Sequence, residues 1–249
     1  MPEADHGRLI DRLRGGLIVS CQPSAESPLA GPGFAAAIAR AAEIGGAAAI
    51  RADGPDDVAA VRRAVSIPVF GIWTVVTDGF PVSITPDLAA AFALADAGAD
   101  VIAIDGTARP RGGGLSVGDL ITRIHDELGL PVEADVDSVA AGESVAALGA
   151  DLVGTSITGY VGAVASQEPD IDLVRRLATV TERPIVAQRY YQTVDQAGAA
   201  FAAGAHAVVV GSAITDPVHL TRMFVRGIRR VGFERGHDVR RGRRRTRRS

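Results

Sequence analysis

Residues able to bind or react collect in this chain at the carboxyl ends of short apolar runs. In chain order they are Ser20, Cys21 and Gln22, then Arg51, Trp73 and Thr74, then Asp105, Thr107 and Arg109. Asp135, Thr155 and Ser156, Gln188 and Arg189, and Gly211 and Ser212 complete the series. Each type has a chemistry. Asp135 can carry a proton, or hold Gln22 or a ligand hydroxyl by hydrogen bonding. Arg51 and Arg189 can grip an anion through a planar fork of donors. Gln22, Thr74, Gln188 and Tyr190 can hydrogen-bond a ligand's hydroxyl groups. A Gly211-Ser212 turn that opens a helix offers free N–H groups and a positive dipole end to an anion. Taken singly, any of these is an ordinary cap or turn residue. Convergence on one mouth is what would make them a site.

Absences narrow the chemistry. All 26 basic residues are Arg, so the chain has no lysine and cannot form a Schiff base on one. Cys21 is the only cysteine, which excludes an internal disulfide, and no histidine stands near it in sequence to activate it. It is expected to pack as a small buried residue. His6, His125, His206, His219 and His237 show no ligand spacing, so no metal is expected. His125 and His219 read as helix-surface residues. No Walker loop or dinucleotide fingerprint occurs, and no cofactor is implied.

The elements that must position these residues recur regularly. Apolar runs at Gly16–Cys21, Ala47–Ala52, Pro68–Trp73, Val101–Gly106, Pro131–Val136, Leu152–Ile157, Pro184–Arg189 and Ala207–Ser212 read as strands. Ala-rich amphipathic stretches such as Gly33–Ile44, Pro55–Val65 and Asp195–Ala203 separate them. Glycines at 45–46, 98, 149 and 204 stand at one place in each unit, where a left-handed residue ends a helix. Eight such units predict a single (β/α)₈ barrel over residues 1–235, and 249 residues suit that fold. Aromatic content of 4% leaves the core to Ala, Val, Ile and Leu.

Charge is divided along the chain. Eleven of the Arg lie from Arg226 onward with only Glu234 and Asp238, a balance of +9, against −12 for the remainder and −3 in total. Residues 236–249 read as a solvated Arg-rich tail. Nucleic-acid binding is not expected, since the tail lacks aromatics and trails an acidic body. The polar start and short apolar runs predict a cytoplasmic protein with no membrane span. The expected partner is a small-molecule substrate, with a homodimer left open.

The runs GGLIVSCQP (15–23), AAAIRADG (47–54), VIAIDGTARPR (101–111), GADLVGTSITGY (149–160) and VVVGSAIT (208–215) resemble the N-acetylmannosamine-6-phosphate 2-epimerase family. The likeness spans residues 7–224. It implies a ribulose-phosphate-binding type of barrel and inversion at C2 of an amino-sugar phosphate without a redox cofactor. It also implies that Gln22, Arg51 and Asp135 bind the sugar and that the backbone at Gly211 and Ser212 faces the phosphate.

Two strand ends depart from the family pattern. Thr74 stands where the resembled family has a catalytic lysine, followed by Val75 and Val76 in place of charged residues. Gln188 replaces an acid, and Arg189 replaces a phosphate-contacting glycine. Loss of one proton-transferring group commonly costs on the order of 10²–10⁴ in rate. The leading expectation is therefore a repurposed isomerase, cyclase or lyase acting on a less charged molecule of specialised metabolism. Asp135, Thr74, Gln188 and Tyr190 would be catalytic, and Gln22, Arg51, Trp73, Arg189, Gly211 and Ser212 would bind substrate. Asp105 is expected to order its loop through Thr107 and Arg109. The alternatives are a genuine epimerase with a non-lysine base and a non-catalytic sugar-phosphate binder.

Overall fold

The computed structural model describes residues 3–23, 27–157 and 168–230, so the expected tail at 236–249 lies outside the described residues. Eight parallel strands close on themselves in sequence order, β1 pairing with β8. They are β1 Gly16–Ser20, β2 Ala49–Asp53, β3 Val69–Ile72, β4 Val101–Asp105, β5 Val132–Asp135, β6 Leu152–Gly154, β7 Ile185–Ala187 and β8 Ala207–Val210. All eight expected strands are present with slightly shifted ends. The shifts matter at β2, which runs one residue past its expected end to Asp53.

The helices are α1 Glu3–Asp11, α2 Pro32–Ile44, α3 Pro55–Ala64, α4 Leu88–Asp96, α5 Val117–Arg123, α6 Val139–Ala147, α7 Ile171–Val180, α8 Val194–Ala202, α9 Ser212–Thr215 and α10, 217–230. Local signals fix their ends. α3 has Pro55 in its first turn with Asp56 and Asp57, and Arg62 and Arg63 in its last, matching the helix dipole at both ends. Thr193 and Gln196 form a capping box on α8. The recurrent turn glycines Gly46, Gly98, Gly149 and Gly204 all have φ between 92° and 103°, the region where a β-carbon is penalised.

Strand alternation sorts the side chains into two cores. One set, including Ile50, Ile102, Ile104, Ala134 and Val153, packs outward against the helices. The other, Ile18, Ala49, Phe70, Val101, Leu152, Val186, Ala207 and Val209, fills the barrel axis. Leu9, Ile10 and Leu13 from the chain's start join the axial set. α1 therefore seals the floor of the barrel, held by His206 Nε2 to the Ile10 carbonyl at 2.8 Å and by Gly15 N donating to the His206 carbonyl. Above the apolar axis, the same inward alternation continues as polar residues, and that upper layer is the site.

Candidate active site

The centre of the upper layer is a buried quartet. Arg51 on β2 donates through Nη2 to Asp135 Oδ2 at 2.6 Å and through Nη1 to Glu133 Oε2 at 2.6 Å. Its Nη1 also reaches Gln188 Oε1 at 2.8 Å. The Gln188 amide Nε2 then donates to Glu133 Oε1 at 2.5 Å and Asp135 Oδ1 at 3.1 Å. All four residues are at most 4% exposed. The spacing Glu133-x-Asp135 on β5 is the strand repeat, which aims both carboxylates at the axis. Gly154 on β6 leaves the room they need. Two carboxylates facing one guanidinium in a dry interior cannot both ionise cheaply, and burial pushes Glu133 up to about 8. Such a cluster fixes orientation more than it adds stability.

A second group is built on Asp53. Its Oδ1 accepts from the Thr74 N–H at 2.8 Å, and its Oδ2 accepts from Thr74 Oγ1 at 2.7 Å and Gln22 Nε2 at 3.2 Å. Ser20 Oγ donates to Gln22 Oε1 at 2.7 Å. Gln22 and Thr74 are thus held rigidly from below by one carboxylate. The loop after β3 folds back as a short hairpin, with Thr74 bridged to Ile84 and Val75 N donating to the Ser83 carbonyl. This brings Pro81, Ser83 and Ile84 to the mouth.

Between these groups lies a cavity of about 570 Å³, of the size that takes a small metabolite. Gln22, Arg51, Thr74, Asp105, Gln188, Arg189, Tyr190, Gly211 and Ser212 all border it. On the β7 side, Arg189 and Tyr190 both have positive φ, 74° and 62°. Arg189 so occupies a backbone conformation natural to glycine, as the resemblance anticipates for that position. Its Nη2 donates to Tyr190 Oη at 2.8 Å, and its Nη1 to the Ser156 carbonyl at 3.1 Å. Gln192 Nε2 donates to Ser212 Oγ at 3.2 Å, tying the β7 and β8 ends together. Tyr191 is buried on the cavity wall, and its hydroxyl has no hydrogen-bond partner among the described residues.

Several expected placements change. Asp135 is fully buried beneath Arg51 and Gln188 and does not border the cavity, because it lies deeper than a strand-end position implies. Nor does it hold Gln22, which Asp53 does. Trp73 points away from the mouth, since alternation puts Ile72 and Thr74 inward and sends the indole outward beside Gly54. Asp105 does order its loop through the Thr107 N–H and hydroxyl, at 2.8 and 2.6 Å. Arg109, however, pairs with Asp137 at 2.9 Å, and it is Arg111 that reaches the Asp105 and Thr107 carbonyls. Cys21 is buried among the outward core, and its thiol is pushed up to about 12 by burial and the nearby Asp57 charge. His125 and His219 lie on helices but are partnered, with Asp151 at 2.8 Å and Gln192 at 2.9 Å. Glu133, Asp53 and Gln192 escaped the sequence reading. For the first two, the x-spacing to Asp135 and Arg51 was the available signal.

Among the described residues no cluster of His, Cys, Asp and Glu is placed to hold a metal, and no helix is long and apolar enough to cross a membrane. A closed parallel barrel with a polar layer and a cavity at the carboxyl ends of its strands defines a (β/α)₈-barrel enzyme. The family described as "Putative N-acetylmannosamine-6-phosphate epimerase" matches residues 35–230, and the chain belongs to that family. The Thermosynechococcus vestitus relative, which bears that description as a 2-epimerase, is 46% identical over 83% of this chain and 90% of its own. The Cutibacterium acnes relative is 44% identical over 87% and 95%. The solved N-acetylmannosamine-6-phosphate 2-epimerase from Clostridium perfringens superposes with a TM-score of 0.84 at 33% identity, covering 87% of this chain and 95% of that one. A thiamine phosphate pyrophosphorylase from Pyrococcus furiosus shares the fold alone, with a TM-score of 0.57 at 17% identity.

Proposed function

We propose that this protein inverts C2 of an N-acetylated amino-sugar 6-phosphate, interconverting the manno and gluco epimers. The observation that carries the reading is the two-ended wall of one cavity. At one end Arg51 borders the cavity, its guanidinium locked in orientation by Glu133, Asp135 and Gln188. At the other, Arg189 and the Gly211–Ser212 turn form a cationic, N–H-rich rim. A proton on carbon beside a carbonyl becomes acidic when the developing oxyanion meets preorganised donors. The Arg51 guanidinium would hold that oxygen, Gln22 and Thr74 the hydroxyl or acetamido groups, and Arg189 with the turn the phosphate. Relatives at 44–46% identity bearing the epimerase description support this over the expectation of a repurposed reaction on a less charged ligand.

The test is direct. Purified protein incubated with N-acetylmannosamine 6-phosphate in D₂O should incorporate deuterium at C2 and form the gluco epimer, followed by NMR. No incorporation would defeat the reading. A homodimer belongs to the same proposal. Phe224 and Ile228 stand exposed on α10 as a ready contact, and sedimentation would measure the mass.

A further inference from the structure

The inward positions of the strands supply four carboxylates to the upper layer, Asp53, Asp105, Glu133 and Asp135. Three are committed through both oxygens. Glu133 and Asp135 each accept from Arg51 and from Gln188. Asp53 accepts twice from Thr74 and once from Gln22. Asp105 differs: only its Oδ1 is used, by Thr107, and Oδ2 has no hydrogen bond among the described residues. Of the four, Asp105 alone borders the cavity. Its position at the end of β4, clamped by Thr107 and backed by Arg111, gives it a fixed orientation.

We propose that Asp105 is the catalytic residue that exchanges the C2 proton, an assignment that rests on the epimerase reading above. With the sugar in its open aldehyde form, Oδ2 takes the proton from C2. The C2–H electron pair moves into the C1–C2 bond, and the carbonyl pair moves onto O1. In the second half O1 returns its pair, and planar C2 takes a proton on its other face from a water molecule in the cavity. The hydroxide left behind takes the proton held by Asp105, so carboxylate and water are both regenerated. A rate-useful base near neutrality needs a carboxyl above its ordinary range. Burial raises Asp105, opposed by the Thr107 hydrogen bonds and the Arg109 and Arg111 charges. The other facing groups are Asp135, its registered neighbour on β5, with Arg51 beyond it, and the uncharged Ile84 and Thr85 from the hairpin after β3.

The experiment measures C2 deuterium exchange and the pH profile of kcat/KM for wild type, Asp105→Asn and Thr107→Val. Asp105→Asn keeps an acceptor for Thr107 and should lower kcat by about 10²–10⁴ with KM little changed. Thr107→Val removes a hydrogen bond that favours the ionised form, so the acid limb of the profile should move to higher pH. Exchange in wild type that persists near its full rate in Asp105→Asn overturns this role alone. An acid limb unmoved by Thr107→Val does the same, independently of how well the first variant folds. No exchange in wild type overturns the epimerase reading and this role with it.

Discussion

A β-carbon placed on Gly154 would lie 2.2 Å from Asp135 Oδ1 and 2.5 Å from Gln188 Nε2. Neither contact can be relieved by a free rotamer, because both atoms are held in the Arg51 quartet. Gly154→Ala should therefore push the quartet apart. The expected loss is above the about 1–3 kcal/mol of an overpacked core and toward the ~3–5 kcal/mol of a broken buried pair. Urea unfolding of the two proteins measures it. A loss under about 1 kcal/mol would mean that the quartet adapts more freely than its geometry implies.

Stability should also report the proton that burial holds on Glu133. Burial raises the folded-state pKa of Glu133 from the ordinary carboxylate range to about 8, chiefly against solvation and partly through Asp135. A raised pKa favours the folded state fully below the unfolded value. That advantage is lost as pH rises toward and through about 8. Between pH 5 and 8.5, the melting temperature of wild type should fall more than that of Glu133→Gln, which cannot ionise. Parallel curves would place the proton elsewhere.

The left-handed backbone at Arg189 offers a cleaner comparison. At φ 74° a β-carbon costs about 1–2 kcal/mol relative to glycine, less the roughly 0.5–1 kcal/mol entropy cost of glycine itself. Arg189→Gly and Arg189→Ala lose the same contacts to Ser156 and Tyr190. The glycine variant should be the more stable by up to about 1 kcal/mol. Alanine equal to or better than glycine would show that the loop relaxes out of the strained region.

Cys21 should be inert. Its thiol is buried and held in the neutral form by burial, so native protein should react with a thiol reagent only as fast as it opens, and denatured protein should react at once. Rapid reaction of the native protein, or loss of activity on alkylation without unfolding, would give Cys21 a chemical part.

Much of the fold was legible because parallel strands buried on both faces leave unbroken apolar runs, and because each unit closes on a left-handed glycine such as Gly98 or Gly204. Depth was the harder quantity. Asp135 and Asp105 both end strands and are registered neighbours, yet one lies beneath the guanidinium and the other at the cavity. Nothing in their flanking residues separates the two cases. Asp53 was missed because β2 was ended one residue early, so its inward step from Arg51 went uncounted. Trp73 ends the expected third strand and so reads as a mouth residue, yet strand alternation turns it outward. α1 was invisible for a different reason. Its segment, with the turn after it, contributes only Leu9, Ile10 and Leu13 to the core, too few for a periodic signal.

Those three side chains make the barrel a one-ended well. With Leu13 fully buried and the axis filled to Phe70 and Val101, the described residues close the barrel below its polar layer. Whatever enters between the β-strand ends must leave by the same portal, and product must clear it before the next molecule is admitted. Protons obey the same restriction. A proton that Glu133 loses or gains has its shortest way out through the cavity face, since the axis below is filled. A molecule seated in the cavity would cover the face through which that layer meets solvent.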